Sequence, residues 1–242
     1  MNNIHIPPVV KNILIINVIF FIATMVITRV DLGTVLGVYY FDSPRFGFWQ
    51  PITYMFMHGG FMHIFFNMYA VFMFGSVLEQ RWGAKRFINF YLITGLGALA
   101  LQWAVQAFEV YQITGSAIDR GQIPLDLFLK DRFNPALYSM EKSATLASVY
   151  FTPMVGASGA VFGLLVAFAM LYPNVELYIM FIPVPVKVKY VIPVYVVLEL
   201  FLGVGKFQGD SVAHFAHIGG ALIGFLLVKL WKDNNRFYDY YE

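Results

Sequence analysis

The segment GASGAVFGLLVAFAMLYP, residues 156–173, is the most informative stretch of the 242-residue chain. It holds no charged side chain, and Pro173 ends it about 15 residues after Ser158. An α-helix of that length rises about 22 Å, whereas the hydrocarbon core of a bilayer is about 30 Å thick. If this helix ends at one interface, its first N–H groups lie inside the membrane. Lipid cannot form hydrogen bonds with those N–H groups. The start of this helix must therefore be surrounded by protein and reached by water.

The composition of the chain is typical of a membrane protein. Of its 242 residues, 59% are hydrophobic and only 12% are charged, and the mean hydropathy is +0.67. Soluble domains carry about 25% charged residues, so this chain has too little polar surface for a water-exposed fold or for disorder. The net charge of +2 comes with no basic block, so we expect no nucleic-acid partner. The predicted environment is a lipid bilayer.

Six apolar runs are long enough to form transmembrane helices, so the predicted fold is an all-α, polytopic bundle of six helices. The predicted spans lie at about residues 12–28, 62–78, 87–108, 158–172, 188–203 and 212–231. We treat residues 1–242 as a single membrane domain with a long outer loop at about 109–153.

Basic residues near the ends of the spans predict the orientation of the chain. With the N-terminus inside, the short inner segments carry nine lysines and arginines, and the short outer segments carry three. This bias predicts that both termini are cytoplasmic, and we place the protein in a bacterial cytoplasmic membrane. The second, fourth and sixth spans then run from outside to inside.

Polar side chains occur near the start of each of these three spans. His63 and Asn67 share one helix face on the second span, Ser158 begins the fourth, and His214 and His217 lie early in the sixth. All of them are therefore predicted at the same outer depth, where polar residues are costly and often functional. A serine beside free helix N–H groups, with a histidine available, is a candidate nucleophile for acyl transfer.

Helix packing is the structural interpretation of the same segments. Gly159 with Gly163, and Gly220 with Gly224, form two G-x-x-x-G patterns, which commonly bring membrane helices into close contact. A serine at such an interface is usually there for packing, so the catalytic and the packing interpretations both stay open on these residues alone.

A metal site is a second chemical interpretation, since four histidines could supply imidazole ligands. They are His58, His63, His214 and His217. No H-E-x-x-H motif occurs in the chain, and we expect no carboxylate at the depth of these histidines. We therefore predict no metal and no other cofactor.

Three short motifs together resemble the rhomboid family of intramembrane serine proteases, which are six-helix membrane enzymes. The motifs are HGGFMHIFFN at residues 58–67, GASG at 156–159 and AHIGG at 216–220. The resemblance implies a catalytic pair in which Ser158 is the nucleophile and His217 is the general base. It also implies cleavage of transmembrane or membrane-adjacent segments of single-span membrane proteins, without a cofactor. A catalytically silent relative that binds single-span clients is the alternative function.

The resemblance further implies roles for the surrounding residues. An oxyanion hole would be formed by the side chains of His63 and Asn67 and the backbone N–H of Ser158. Structural support would come from four other residues, His58, Phe162, Gly156 and Gly159.

Four other polar or charged residues are compared with the family pattern, namely Gln50, Glu79, Arg81 and Glu199. Gln50 follows Trp49 where the family often has arginine, which we expect to affect loop anchoring and not chemistry. Glu79 with Arg81 matches a polar cluster at the end of the second span. Glu199 in the fifth span is unexplained, and the sequence leaves open whether it lines a cavity or pairs with a partner. The oligomeric state is open as well.

Overall fold

A computed structural model describes residues 6–118, 139–178, 184–205 and 212–231, and these parts of the chain are mostly helical. The helices are α1 (Pro8–Val26), α2 (Leu32–Leu36), α3 (Gln50–Thr53), α4 (Phe61–Ala70), α5 (Ser76–Trp82), α6 (Ala84–Thr114), α7 (Met140–Phe151), α8 (Ser158–Leu171), α9 (Val188–Gly205) and α10 (His214–Leu230). A π-helical turn, Val71–Gly75, joins α4 to α5 in one continuous helix, and a 3₁₀ turn, Tyr54–Phe56, precedes it. Two antiparallel strands, β1 (Glu176–Leu177) and β2 (Val186–Lys187), lie between α8 and α9.

The polytopic helical bundle predicted from the sequence is confirmed. Four described helices are long and apolar enough to cross a membrane, namely Pro8–Val26, Phe61–Trp82, Ala84–Thr114 and Val188–Gly205. The other two predicted spans are the shorter apolar helices α8 and α10. The shortness of α8 is the feature that residues 156–173 predict. The small β1–β2 pair was not predicted, because strands of two residues carry no recognisable periodicity.

Both ends of the segment predicted as a long outer loop, 109–153, are helical. Helix α6 continues to Thr114, where Gly115 ends it with a φ of 82°. Toward the other end, Ser139 accepts a hydrogen bond from the N–H of Lys142 and begins α7, which the prediction assigned to the loop. The buried side of α7 packs against Tyr40 and Val110, so tertiary contact stabilises this amphipathic helix. The middle of the predicted loop lies outside the described residues.

Helix α1 begins four residues before the predicted start, at Pro8 instead of residue 12, and Glu79 explains why. The buried Glu79 carboxylate accepts hydrogen bonds from the N–H groups of Val9 at 2.9 Å and Val10 at 2.7 Å. These are N–H groups that a helix start leaves without an intrahelical partner, and a carboxylate also complements the helix dipole. The Arg81 guanidinium lies 5.5 Å from the centre of the Tyr172 ring. Glu79 therefore joins the second span to the first.

Helix α8 lies at the centre of the bundle, between α6 and α10, and every residue from Gly159 to Leu165 is buried. Small residues allow this close approach. A Cβ atom on Gly220 would collide with the carbonyl oxygen of Gly159, and one on Gly224 would lie 2.8 Å from the backbone of Gly163. The predicted packing role of both G-x-x-x-G patterns is therefore confirmed.

Replacing Gly220 by alanine is expected to destabilise the protein by about 1–3 kcal/mol, because α10 would have to move away from α8. Thermal unfolding in detergent measures this as a lower Tm. The matched control is Gly60→Ala, since a Cβ at Gly60 meets no atom within 4 Å. A Tm for Gly220→Ala equal to that of Gly60→Ala would contradict this packing.

The segment that connects α1 to α4, residues 27–60, forms a loop that holds the start of α8 in place. Val38 and Met154 exchange backbone hydrogen bonds of 2.9 and 2.8 Å, and the N–H of Gly156 donates to the carbonyl of Tyr54 at 2.9 Å. Gln50 is buried within this loop, where its amide accepts from the N–H of Tyr39 and donates to the carbonyl of Arg45. Gln50 thus anchors the loop through uncharged hydrogen bonds.

Candidate active site

Ser158 and His217 lie on neighbouring helices and contact each other directly. Ser158 is the first residue of α8, and His217 lies in the first turn of α10. The distance from Nε2 of His217 to Oγ of Ser158 is 2.8 Å, across 59 residues of sequence. A serine hydroxyl that donates to an imidazole nitrogen at this distance can lose its proton to that nitrogen during attack on a carbonyl.

The orientation of the His217 ring is held by packing. Phe162, one helical turn after Ser158, stacks on the imidazole with ring centres 4.4 Å apart and an angle of 10° between the planes. Tyr195 from α9 contacts the Phe162 ring in turn, at 4.9 Å. His217 itself is only 8% exposed. Phe162 therefore lies where the predicted supporting ring is expected.

Glu199 is the residue that sequence reasoning missed. Its Oε2 atom lies 2.8 Å from Nδ1 of His217 and 2.6 Å from Nδ1 of His214. All three side chains are buried, with Glu199 only 5% exposed. Of the two alternatives left open for Glu199, pairing with a partner is the one observed.

The expectation that no carboxylate shares the depth of the histidines is therefore wrong. The fifth span runs in the opposite direction to the sixth, so a residue near its C-terminal end lies beside the start of the sixth. Glu199 is near the end of α9 and His214 begins α10, which brings them together. The direction of the span was the signal that could have located this carboxylate. The three ligand atoms of Glu199, His214 and His217 lie within 4.8 Å of one another.

His63 faces the start of α8 from α4. A Cβ atom built on Gly156 would lie 2.8 Å from Nε2 of His63 and 3.5 Å from Oγ of Ser158. Gly156 has a φ of +131°, which strongly favours glycine, and its missing side chain leaves a space bordered by both residues. The N–H of Gly59 donates to Nδ1 of His63 at 3.3 Å. In neutral His63 the single ring proton is then on Nε2, which points at this space as a donor.

Asn67 is buried one helical turn after His63. Its side-chain nitrogen donates to the backbone carbonyl of His63 at 2.9 Å. An amide group carries two N–H donors, so this bond uses only one of them.

His58 precedes α4 and packs edge to face on the His63 ring, with centres 5.0 Å apart. Burial and the neighbouring His63 lower the pKa of His58 to about 4. His58 is therefore neutral at physiological pH and adds no charge beside His63. Gly159, the other predicted supporting residue, permits close contact with Ala98 of α6 as well as with Gly220.

A comparison with protein families identifies the chain. The family model that describes the Rhomboid domain matches residues 45–232. The chain belongs to the rhomboid family. It is an integral membrane protein, as its long apolar helices indicate.

Curated rhomboid proteins from several organisms are similar to this rhomboid chain. An uncharacterized mitochondrial rhomboid protein of Schizosaccharomyces pombe is 27% identical, over 76% of this chain and 52% of its own length. RHOMBOID-like protein 6, mitochondrial, of Arabidopsis thaliana is 31% identical, over 74% of this chain and 42% of its own. Rhomboid protease AarA of Providencia stuartii is 27% identical, over 74% of this chain and 54% of its own length. The chain thus spans about half the length of these relatives, or less.

The residues that sequence reasoning singled out in this rhomboid converge on one end of the bundle. His217 contacts both Ser158 and Phe162, and His63 and Gly156 border the adjoining space. That residues 1–242 form a single domain, and that both termini are cytoplasmic, stay predictions.

Proposed function

We propose that this rhomboid protein is an intramembrane serine endopeptidase in which Ser158 is the nucleophile and His217 the general base. The 2.8 Å contact between His217 Nε2 and Ser158 Oγ carries the proposal, because it supplies both the nucleophile and its proton acceptor. The similarity to a protein named as a rhomboid protease supports it.

The proposed reaction has two steps. Oγ of Ser158 attacks the scissile carbonyl carbon while its proton moves to Nε2 of His217, and a tetrahedral oxyanion forms. The imidazolium returns that proton to the leaving amine, the C–N bond breaks, and an ester to Ser158 remains. Water then attacks the ester with His217 again as base, which releases the carboxylic acid product and restores Ser158.

The oxyanion would occupy the space beside Gly156. Nε2 of His63 borders this space and is the first proposed donor. The backbone N–H of Ser158 and the side chain of Asn67 are the other two proposed donors. The N-terminus of α8 adds the positive end of the helix dipole. Donors oriented before the reaction stabilise the developing charge without reorganisation.

The proposed substrates are single-span membrane proteins. Ser158 begins a buried helix at one end of the bundle, so a substrate segment must present extended backbone there. We expect cleavable segments to hold small, helix-destabilising residues, because a stable helix keeps its carbonyl groups hydrogen-bonded. The bacterial cytoplasmic membrane stays a prediction, since the curated relatives include proteins named as mitochondrial.

A fluorophosphonate probe tests this function directly, because it phosphonylates only an activated serine. In native membranes, we expect labelling of the wild-type chain at Ser158, located by mass spectrometry of the modified peptide. Ser158→Ala provides the unlabelled control. A folded wild-type protein without labelling would favour the silent scaffold that binds single-span clients, and would contradict the endopeptidase.

A further inference from the structure

We infer that Glu199 is a positioning residue for His217, so that Ser158, His217 and Glu199 form a Ser–His–Glu triad. This inference rests on the proposed function and adds a third side chain to the expected pair. Glu199 is the one carboxylate that contacts His217 in the described part of the chain.

The hydrogen-bond pattern determines which nitrogen of His217 carries the proton. An ionised carboxylate can only accept, so the 2.8 Å contact requires a hydrogen on Nδ1 of His217. A neutral imidazole has one N–H group, which leaves Nε2 unprotonated. Nε2 is the atom 2.8 Å from Oγ of Ser158, so Glu199 selects the tautomer that can act as base.

Glu199 also stabilises the charge that develops on His217. After proton transfer from Ser158, the imidazolium lies against the Glu199 carboxylate. Both side chains are largely buried, at 8% and 5% exposure, so the attraction is stronger than it would be in water. The positive charge on the His217 imidazolium is thus balanced by the negative charge on Glu199 during the reaction, although Glu199 does not contact the substrate.

His214 holds the carboxylate from the other side. Its Nδ1 atom lies 2.6 Å from the same Oε2 atom, so one carboxylate oxygen receives two imidazole donors. A buried charge needs such hydrogen bonds to remain ionised. Gly203 permits this packing, because its missing Cβ would lie 3.0 Å from Cβ of His214. His214 is therefore expected to act through Glu199.

A metal ion is the competing occupant of the Glu199, His214 and His217 cluster. Ligand atoms at about 2.0–2.1 Å from one tetrahedral zinc lie about 3.3 Å apart. The observed separations of 2.6 and 2.8 Å are those of hydrogen bonds. A zinc ion on Nδ1 of His217 would also force the proton onto Nε2 and block the base. The hydrogen-bonded triad therefore predicts that a chelator leaves the labelling rate of Ser158 unchanged, whereas a bound zinc ion predicts that the chelator changes it.

The test compares three substitutions of Glu199 by the rate at which the fluorophosphonate probe labels Ser158, and by reporter cleavage. We expect Glu199→Ala to slow both by about 10²–10⁴-fold, as loss of the acidic member does in other triads. We expect Glu199→Gln to be at least as slow, because its amide can donate to Nδ1 and favours the wrong tautomer. Glu199→Asp is expected to recover part of the rate.

The order of labelling rates among the Glu199 variants distinguishes a role in positioning His217 from a role in packing. A role in packing alone would make glutamine, which has nearly the same shape, the mildest substitution. Leu198→Ala, at a neighbouring exposed position of α9, is the matched control and should label at the wild-type rate. Adding His214→Ala to Glu199→Gln should slow labelling no further, because His214 acts through Glu199.

Three outcomes would overturn the inference. The first is labelling at the wild-type rate in all the Glu199 variants. The second is faster labelling of the glutamine variant than of the alanine variant. The third is zinc bound to the wild-type protein, if its removal by a chelator changes the labelling rate. Each variant is checked for folding by its Tm. If the wild-type protein is not labelled, the proposed function fails. If the wild-type protein is labelled and the Glu199 variants are labelled at the same rate, only the triad is contradicted.

Discussion

Alanine at Ser158 or at His217 is expected to reduce cleavage of a single-span reporter by about 10⁵–10⁶-fold, which is below detection in a membrane assay. Without Oγ there is no nucleophile, and without Nε2 nothing accepts its proton. Because the two groups act as a unit, the double variant is expected to lose no more than either single variant. The measurement is the rate of appearance of the cleaved reporter in reconstituted vesicles.

The control for these two variants is Ser148→Ala, an exposed serine on α7 whose loss should leave cleavage unchanged. Ser158→Ala should keep its Tm near that of the wild-type protein, since it removes a single hydroxyl group and leaves the backbone of α8 unchanged. His217→Ala removes the ring on which Phe162 packs, so we expect a lower Tm and compare its rate only where the protein remains folded. Undiminished cleavage by either folded variant would remove the proposed mechanism.

Replacing His63 by phenylalanine is expected to lower kcat by about 10²–10³-fold with little change in KM. Phenylalanine keeps an aromatic ring beside His58 but has no donor to point at the space next to Gly156. An oxyanion forms there only during the reaction, so the lost bond affects the transition state more than substrate binding.

The matched control for His63→Phe is Phe65→Leu, on the exposed side of the same helix. Labelling of Ser158 by the fluorophosphonate probe should slow in parallel with cleavage, because the phosphonyl oxygen of the probe also gains negative charge in this space when Ser158 attacks. A loss of less than twofold in kcat would show that His63 is not a donor to the oxyanion.

The transmembrane architecture could be predicted from the sequence because the length and composition of an apolar run are local properties. The short α8 follows from the position of Pro173 relative to Ser158, and the helix is observed where it was expected. The extent of α6 and the existence of α7 could not be predicted in this way. Those segments are less apolar, and contacts with Tyr40 and its neighbours stabilise α7.

The candidate site was predicted in part. Ser158, His217 and His63 lie near the starts of three spans that cross the membrane in the same direction. Their similar depth in the membrane could therefore be predicted from the order of the spans. Glu199 stands alone on an apolar helix, and no short motif surrounds it. Its contacts depend on the rotation of α9 about its own axis, which places Ile192, Glu199 and Gly203 on the buried side.

The sequence by itself determined that this chain crosses a membrane, that one apolar helix is too short to span it, and that serine and histidine begin two spans that run in the same direction. Those properties depend on residue type and spacing along the chain. Only the tertiary structure decided that Glu199 reaches both His214 and His217, and which ring nitrogen of His217 faces Ser158. Contacts of 2.6 to 2.8 Å depend on the rotation and register of packed helices, which hydropathy does not specify.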